Sequence, residues 1–204
     1  MPGREILETM MSDAALKQDE GEFTFADYLT WDDEKRWELI DGKAYMMSSP
    51  SQYHQDISRE LVFHLRLFLT GKPCRVYAAP FDVRLFPRWD NRDKTLVQPD
   101  LLVICDKTKT DGQRCNGAPD MVIEILSPST AERDLEEKFA LYQQAGVREY
   151  WIVDPWNKTI EVNLLIAGRY VQTKYGQTGQ VPVSILPGCR IDFPAIWEYA
   201  DAWV

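Results

Sequence analysis

Two apolar runs near the middle of the chain set the frame. In residues 121–127, Val122 and Leu126 alternate on one face while Ile123 and Ile125 occupy the other. A strand apolar on both faces is normally central and covered. Residues 97–104 read the same way, with Leu101, Leu102, Val103 and Ile104 following Asp100. Each run carries one carboxylate that its neighbours do not explain: Glu124 in the first, Asp100 in the second.

The remaining pattern predicts elements around these strands. Thr24 caps a short helix over residues 24–32. Asp41-Gly42, between two apolar runs, is a two-residue hairpin signal. Residues 48–51, around Pro50, open a helix running to residue 70, with Ile57, Leu61, His64, Leu65 and Phe68 along one face. Gly71-Lys72-Pro73 ends it. A strand bent near Pro80 covers 75–86, and charged or polar loops cover 87–94 and 105–119. Ser129 starts the next helix, with Glu132 in capping-box position; it runs to residue 145 and stops at Gly146. A strand follows at 149–153, then a hairpin of 159–166 and 169–175 across Ala167-Gly168. A last short helix spans 194–204. Residues 1–22 read as a polar, acidic tail, and 23–204 as one domain. This order predicts an α/β (α+β) fold: one mixed sheet flanked by helices.

Composition narrows the partners. The 204 residues include 45% hydrophobic and 27% charged side chains, an ordinary globular mixture. The net charge of −9 argues against a protein that coats DNA through a basic face, but leaves room for a local basic groove. The four cysteines form no CxxC pair and have no histidine at ligand spacing, which argues against zinc and for reduced, buried thiols. No apolar run approaches the roughly 18 residues of a membrane span, and the N-terminus has no signal-peptide core. The expected location is cytoplasmic, with no membrane partner.

The two carboxylates carry the candidate chemistry. If the strands pair antiparallel with Ile104 opposite Asp120, Asp100 falls opposite Glu124, their Cβ atoms about 4.5–5.5 Å apart. Like charges so placed repel unless a cation or proton lies between them. A slip of one residue would separate them. In the following helix Ala131, Leu135, Lys138, Tyr142 and Ala145 form one stripe at alternating spacings of four and three. That stripe directs Lys138 at the carboxylates, unless it snorkels to the edge. Asp, Glu and Lys together suit Mg²⁺, which takes one or two protein carboxylates and keeps water for the rest.

Pro99-Asp100, Glu124 and a following lysine resemble the PD-(D/E)xK nuclease superfamily. More closely, the 37–51, 97–106, 118–130 and 137–155 segments resemble the putative restriction endonuclease family of uncharacterised, mostly bacterial proteins. The likeness spans about residues 24–154. It implies a restriction-endonuclease-like fold and Mg²⁺-dependent hydrolysis of DNA phosphodiesters, with Mn²⁺ as substitute. It makes Asp100 and Glu124 metal ligands, with the Ile125 carbonyl as a further ligand. Lys138 completes the catalytic set. The usual E-x-K lysine position here is Leu126, and Lys138 fits a migration of that lysine to the next helix. DNA is the implied substrate, and a homodimer suits the cutting of two strands.

Three accessory residues stay open at this stage. Glu38 is either a solvated strand position or a further acidic site residue. His54 reads first as a helix-surface histidine, and otherwise as a group touching phosphate or water. Tyr142 reads first as core. Arg84, Arg88, Arg92 and Lys94 are candidate phosphate contacts, but Asp90 and Asp93 are interleaved with them. Asp154 reads as a strand end. Two rival functions also stay open: a catalytically inactive interaction protein on a nuclease-like scaffold, and a glycosidase-type carboxylate pair.

Overall fold

The computed structural model describes residues 22–203. The expected tail therefore lies, apart from Glu22, outside the described residues. Thr24 caps α1 (Phe25–Tyr28) through a capping box with Asp27. The first hairpin joins β1 (Trp37–Ile40) to β2 (Lys43–Met46). Its turn residues Asp41 and Gly42 have φ of 48° and 84°, the left-handed geometry that matches strand twist and favours Asp-Gly. Ser51 caps the long helix α2 (Gln52–Phe68).

Two stretches expected as single strands are each divided between two sheets. β3 (Arg75–Ala78) belongs to one sheet and β4 (Val83–Arg84) to another. Likewise β5 (Leu96–Val97) and β6 (Leu101–Ile104) part company at Gln98-Pro99-Asp100. Proline has no N–H to give a ladder, so Pro80 and Pro99 mark the places where pairing changes hands. The expected single mixed sheet is thus divided into two larger sheets and a two-stranded one, and Asp100 sits at one of the places where the chain passes between the larger two.

After the short β7 (Cys115–Asn116), β8 (Met121–Ile125) leads through two helical pieces to β9 (Glu149–Asp154). β8 and β9 run parallel, which requires such a crossover. The crossover helix is broken, unlike the one predicted: α3 (Ala131–Leu135) and α4 (Glu137–Ala145) meet at Glu136, whose φ and ψ are −118° and −70°. Thr130, not Ser129, occupies the N-cap, and it makes no side-chain capping bond. Ser129 instead contacts the hydroxyls of Ser48 and Ser127. β10 (Thr159–Ile166) and β11 (Arg169–Tyr175) form the expected hairpin. β12 (Gln180–Pro182) pairs with β13 (Arg190–Asp192) before the final helix α5 (Phe193–Asp201).

The larger sheet has the order β11-β10-β9-β8-β6-β3, and the second β2-β1-β5-β4-β7. Alternation along the large sheet sorts its side chains into two cores. Leu101, Val103, Ile123 and Ile125 pack with Ile57, Leu61 and Leu65 of α2 and Ile196 of α5. Leu102, Ile104, Val122 and Leu126 pack with Leu141 and Tyr142 of α4, and with Ile40 and Val97 of the second sheet. Each fully buried aliphatic contributes about 1.5–3 kcal/mol relative to exposure, so both faces of β8 resist any slip of register.

The cysteine expectation needs correction. Cys74 and Cys105 form a disulfide, while Cys115 and Cys189 are free and buried. Arg75 pairs with Ile104 across β3 and β6, so the preceding and following cysteines face each other. Their separation in sequence concealed that adjacency.

Candidate active site

β6 and β8 pair with Leu101 opposite Ile123, the register that sets Asp100 opposite Glu124. Each carboxylate is then held by the other strand. The Asp100 N–H donates to Glu124 Oε2 at 3.1 Å, and the Ile125 N–H donates to Asp100 Oδ2 at 2.8 Å. The reason is geometric. Leu126 N–H bonds Val153 of β9, so the N–H of Ile125 points the other way, where β6 has ended. The Asp100 side chain takes the place of a ladder carbonyl.

Helix α4 supplies the next layer. Lys138 Nζ lies 3.0 Å from Glu124 Oε1, 2.9 Å from Glu38 Oε1 and 3.3 Å from Asp134 Oδ1. One turn on, the Tyr142 hydroxyl donates to Glu124 Oε1 at 2.8 Å. Glu38 comes from β1 and also accepts the Gln98 N–H at 2.8 Å. Arg133 is a further 3.9 Å from Glu38 Oε2. The expected apolar stripe is displaced: Leu135 is exposed, while Asp134, Lys138, Leu141 and Tyr142 are buried. Asp134 lies one turn before Lys138 and keeps its i, i+4 contact with it across the break at Glu136.

Glu38, Glu124 and Asp134 thus surround one ammonium that is 3% exposed, with Asp100 held one step further out through Glu124. Burial pushes the Glu124 carboxyl well above its ordinary range; Lys138 opposes this, but Asp134, Asp100 and Glu38 add to it. Burial likewise lifts Asp134, with Lys138 opposing. For Lys138, burial alone favours the neutral amine, yet Glu124, Glu38 and Asp134 outweigh it and keep the ammonium well protonated. Burial and the Glu124 charge raise the Tyr142 phenol as well. Several carboxyls around one buried lysine are thus driven toward protonation unless a further cation compensates their charge.

His54 does not lie on the helix surface. It is buried in the first turn of α2, and its Nε2 lies 3.0 Å from Asp100 Oδ2. Burial depresses the imidazole pKa, but Asp100 outweighs burial and the net shift is upward. Glu38 is likewise no solvated strand position, being 1% exposed. Tyr142 is both core and site. Asp134 and Gln98 escaped notice in the sequence. The spacing of Asp134, Lys138 and Tyr142 at i, i+4 and i+8 was the signal for the first; the backbone contact of Gln98 left none.

The candidate phosphate contacts lie elsewhere. Arg84 is buried and bonded to Asp93, and Arg88 pairs with Asp90. Lys94 pairs with Glu22. Asp154 closes its strand and accepts the N–H groups of Trp156 and Asn157.

Glu38, His54, Asp100, Glu124, Asp134 and Lys138 line one cavity of about 400 Å³. Among the described residues, no three His, Cys, Asp or Glu side chains converge as an all-protein metal cage. A carboxylate pair is what Mg²⁺ commonly takes from a protein. Carboxyls so crowded favour a hard cation, and Glu38 Oε2 and Asp134 Oδ1 are buried without hydrogen bonds. The donor set fits Mg²⁺ or Mn²⁺ held by two carboxylates and water.

The comparisons agree with this architecture. Two uncharacterized proteins of Synechocystis sp. are similar over 141 and 143 residues, at 28% and 27% identity. The first match covers 68% of this chain and 70% of the relative; the second covers 68% and 78%. The crystal structure of a putative nuclease from Anabaena variabilis superposes with a TM-score of 0.71 over 87% of this chain and 99% of that one. At 19% identity this likeness speaks for the fold. Residues 25–194 match the Uma2 family, described as putative restriction endonuclease, and the chain belongs to that family.

Proposed function

We propose that the protein is a metal-dependent endonuclease that hydrolyses DNA phosphodiester bonds. One observation carries the reading: a pair of strand-end carboxylates, Asp100 and Glu124, locked together beside a buried lysine and open to a cavity. Asp100 and Glu124 would hold Mg²⁺, with the Ile125 carbonyl as a further ligand. An ion held by these residues would supply Lewis acidity, lowering the pKa of a bound water and offsetting charge on a phosphoryl oxygen.

The chain's own residues do the positioning. The crossed N–H bonds hold the two carboxylates rigidly at the sheet end. Tyr142 and Lys138 orient Glu124 from behind. Lys138 is a buried cation beside Glu124 that would favour negative charge developing there, and His54 fixes Asp100 while retaining a ring nitrogen without a bonded partner. Leu126 leaves the usual lysine position apolar, and Lys138 reaches the same carboxylate from the next helix.

The inactive-scaffold reading would be favoured by a Lys138 turned to solvent. Its inward course favours the enzyme instead. Asp100→Asn and Glu124→Gln, assayed on DNA with Mg²⁺ or Mn²⁺, should each lower cleavage roughly a hundredfold or more, the scale of losing several kcal/mol of charge stabilisation. Unchanged cleavage in either variant overturns the assignment.

A further inference from the structure

Trp156 stands at the rim of the same cavity and plays no part in the chemistry described above. It is 58% exposed, and among the described residues no aromatic ring packs on it. Its position follows from the sheet. Ile152 of β9 lies opposite Glu124, and Val153 opposite Ile125. β9 therefore leaves the sheet at the carboxylate end, and the turn to β10 carries Trp156 over that end. The Trp156 and Asn157 N–H groups bond Asp154 Oδ1, both at 3.0 Å, so the backbone beneath the indole is held.

Elsewhere the cavity is lined by hydroxyl side chains, with Arg36 and Arg133 also among its lining residues. Two loops, residues 47–51 and 126–130, meet where Ser48 Oγ lies 3.4 Å from Ser129 Oγ. Ser127 bonds Ser129 and Thr130 by their hydroxyls. Such groups contact phosphate and sugar without reading sequence. The hydroxyl loops and the indole both line the one cavity that reaches the carboxylates, about 400 Å³ in all, a size that encloses a small-molecule ligand. That is room for one nucleotide. A paired base would have to leave its stack to enter, at an energetic cost that an unpaired one avoids.

Charge points the same way. A duplex held by its backbone needs an array of cations against both strands. Here Arg84, Arg88 and Lys94 are engaged with Asp93, Asp90 and Glu22, Arg36 bonds Gln98, and Arg133 and Lys138 face Glu38, leaving Arg92 exposed on the 87–94 loop. The chain carries a net charge of −9. Stacking on an aromatic face needs no such array and accepts any base.

Resting on the nuclease reading above, we infer that the cavity receives a single unpaired nucleotide whose base stacks on Trp156. The substrate class is then single-stranded DNA, or an unpaired segment of a longer DNA, in preference to a fully paired duplex.

The test separates binding from cleavage. A short labelled oligodeoxynucleotide, single-stranded or annealed as a blunt duplex, is titrated with the full chain by fluorescence anisotropy in Ca²⁺, an oxygen-seeking cation that neutralises the carboxylates. The single strand should bind roughly tenfold tighter or more and quench tryptophan fluorescence. Trp156→Ala should lose roughly tenfold or more of that affinity, and Trp156→Phe should keep most of it, on the scale of one stacked base. Trp89→Ala, removing a 95% exposed tryptophan that does not line the cavity, controls for indole loss. Equal or tighter binding of the duplex overturns the inference. So does single-strand affinity unchanged in a Trp156→Ala protein whose circular dichroism matches the wild type. Strand binding through Trp156 without Mg²⁺-dependent cleavage would fault the nuclease reading and leave the binding assignment standing; cleavage indifferent to Trp156 would do the reverse.

Discussion

Glu124 and Glu149 lie near opposite ends of the β8–β9 pair, 2% and 0% exposed, and they are held in different ways. Glu149 accepts three neutral donors: Trp151 Nε1 at 2.7 Å, and the N–H groups of Ser184 and Ile185 at 3.1 and 2.8 Å. It ties residues 184–185 to the sheet and lines no part of the active-site cavity. Burial lifts its pKa, and these bonds partly lower it again. Glu124 shares one lysine with Glu38 and Asp134 and faces the cavity. Burial of a carboxylate is therefore not what marks the site, because both glutamates are buried. A cluster of carboxyls around one lysine, collected by several elements and opened to one cavity, is the difference.

The sharpest way to break the comparison is Lys138→Met. It leaves several buried carboxylates without their common cation, and breaking a buried pair costs about 3–5 kcal/mol. Urea unfolding should show a loss of that order, with cleavage falling as well. A wild-type midpoint would mean that Lys138 does not hold the acids together.

Glu149→Gln should cost less, about 1–3 kcal/mol at neutral pH, because an amide NH₂ is set against N–H donors. Cleavage per folded molecule should persist. Its pH dependence follows from the upward shift. With the folded pKa above the ordinary 4.5, the folded chain binds more protons than the unfolded chain between the two values. Stability then declines as pH rises from 4.5 through the folded pKa. Unfolding measured across that window should show a shallower decline in Glu149→Gln than in the wild type. Equal slopes would mean that Glu149 titrates normally.

The smallest effect belongs to Tyr142→Phe, which removes one hydroxyl from Glu124 and leaves the ring. About 0.5–1.5 kcal/mol of stability is expected, together with a further rise in the Glu124 pKa, since a donor to the carboxylate is gone. Denaturation and a carboxyl-selective NMR titration read the two effects separately. A fall in that pKa would mean that the hydroxyl does not donate to Glu124.

The sequence made some of this legible and concealed the rest for physical reasons. Asp100 and Glu124 stood out because each interrupts a strand apolar on both faces, and apolarity on both faces also pins the register. Lys138 followed from helical spacing. His54 was misjudged because a helix start can point back into a sheet end, which periodicity alone does not reveal. Asp134 shares the i, i+4 spacing of Lys138 and Tyr142, but an apolar stripe passes through its neighbour Leu135, which is exposed while Asp134 is buried. Gln98 acts through its backbone N–H on Glu38, a contact that residue identity does not encode. The Cys74–Cys105 pairing depended on which strand β3 adjoins.

What the sequence determined by itself is local and periodic: the strand faces, the Asp41-Gly42 turn, the Thr24 cap, and the two carboxylates that face each other in one register. Those follow from backbone geometry and from the cost of burying a charge. What only the tertiary structure decided is the company these carboxylates keep. Glu38 arrives from another sheet, His54 from a helix on the far face, Asp134 from the helical turn before Lys138 and Trp156 from a hairpin turn. Convergence of elements distant in the chain is a property of packing, and packing is set by the whole core at once.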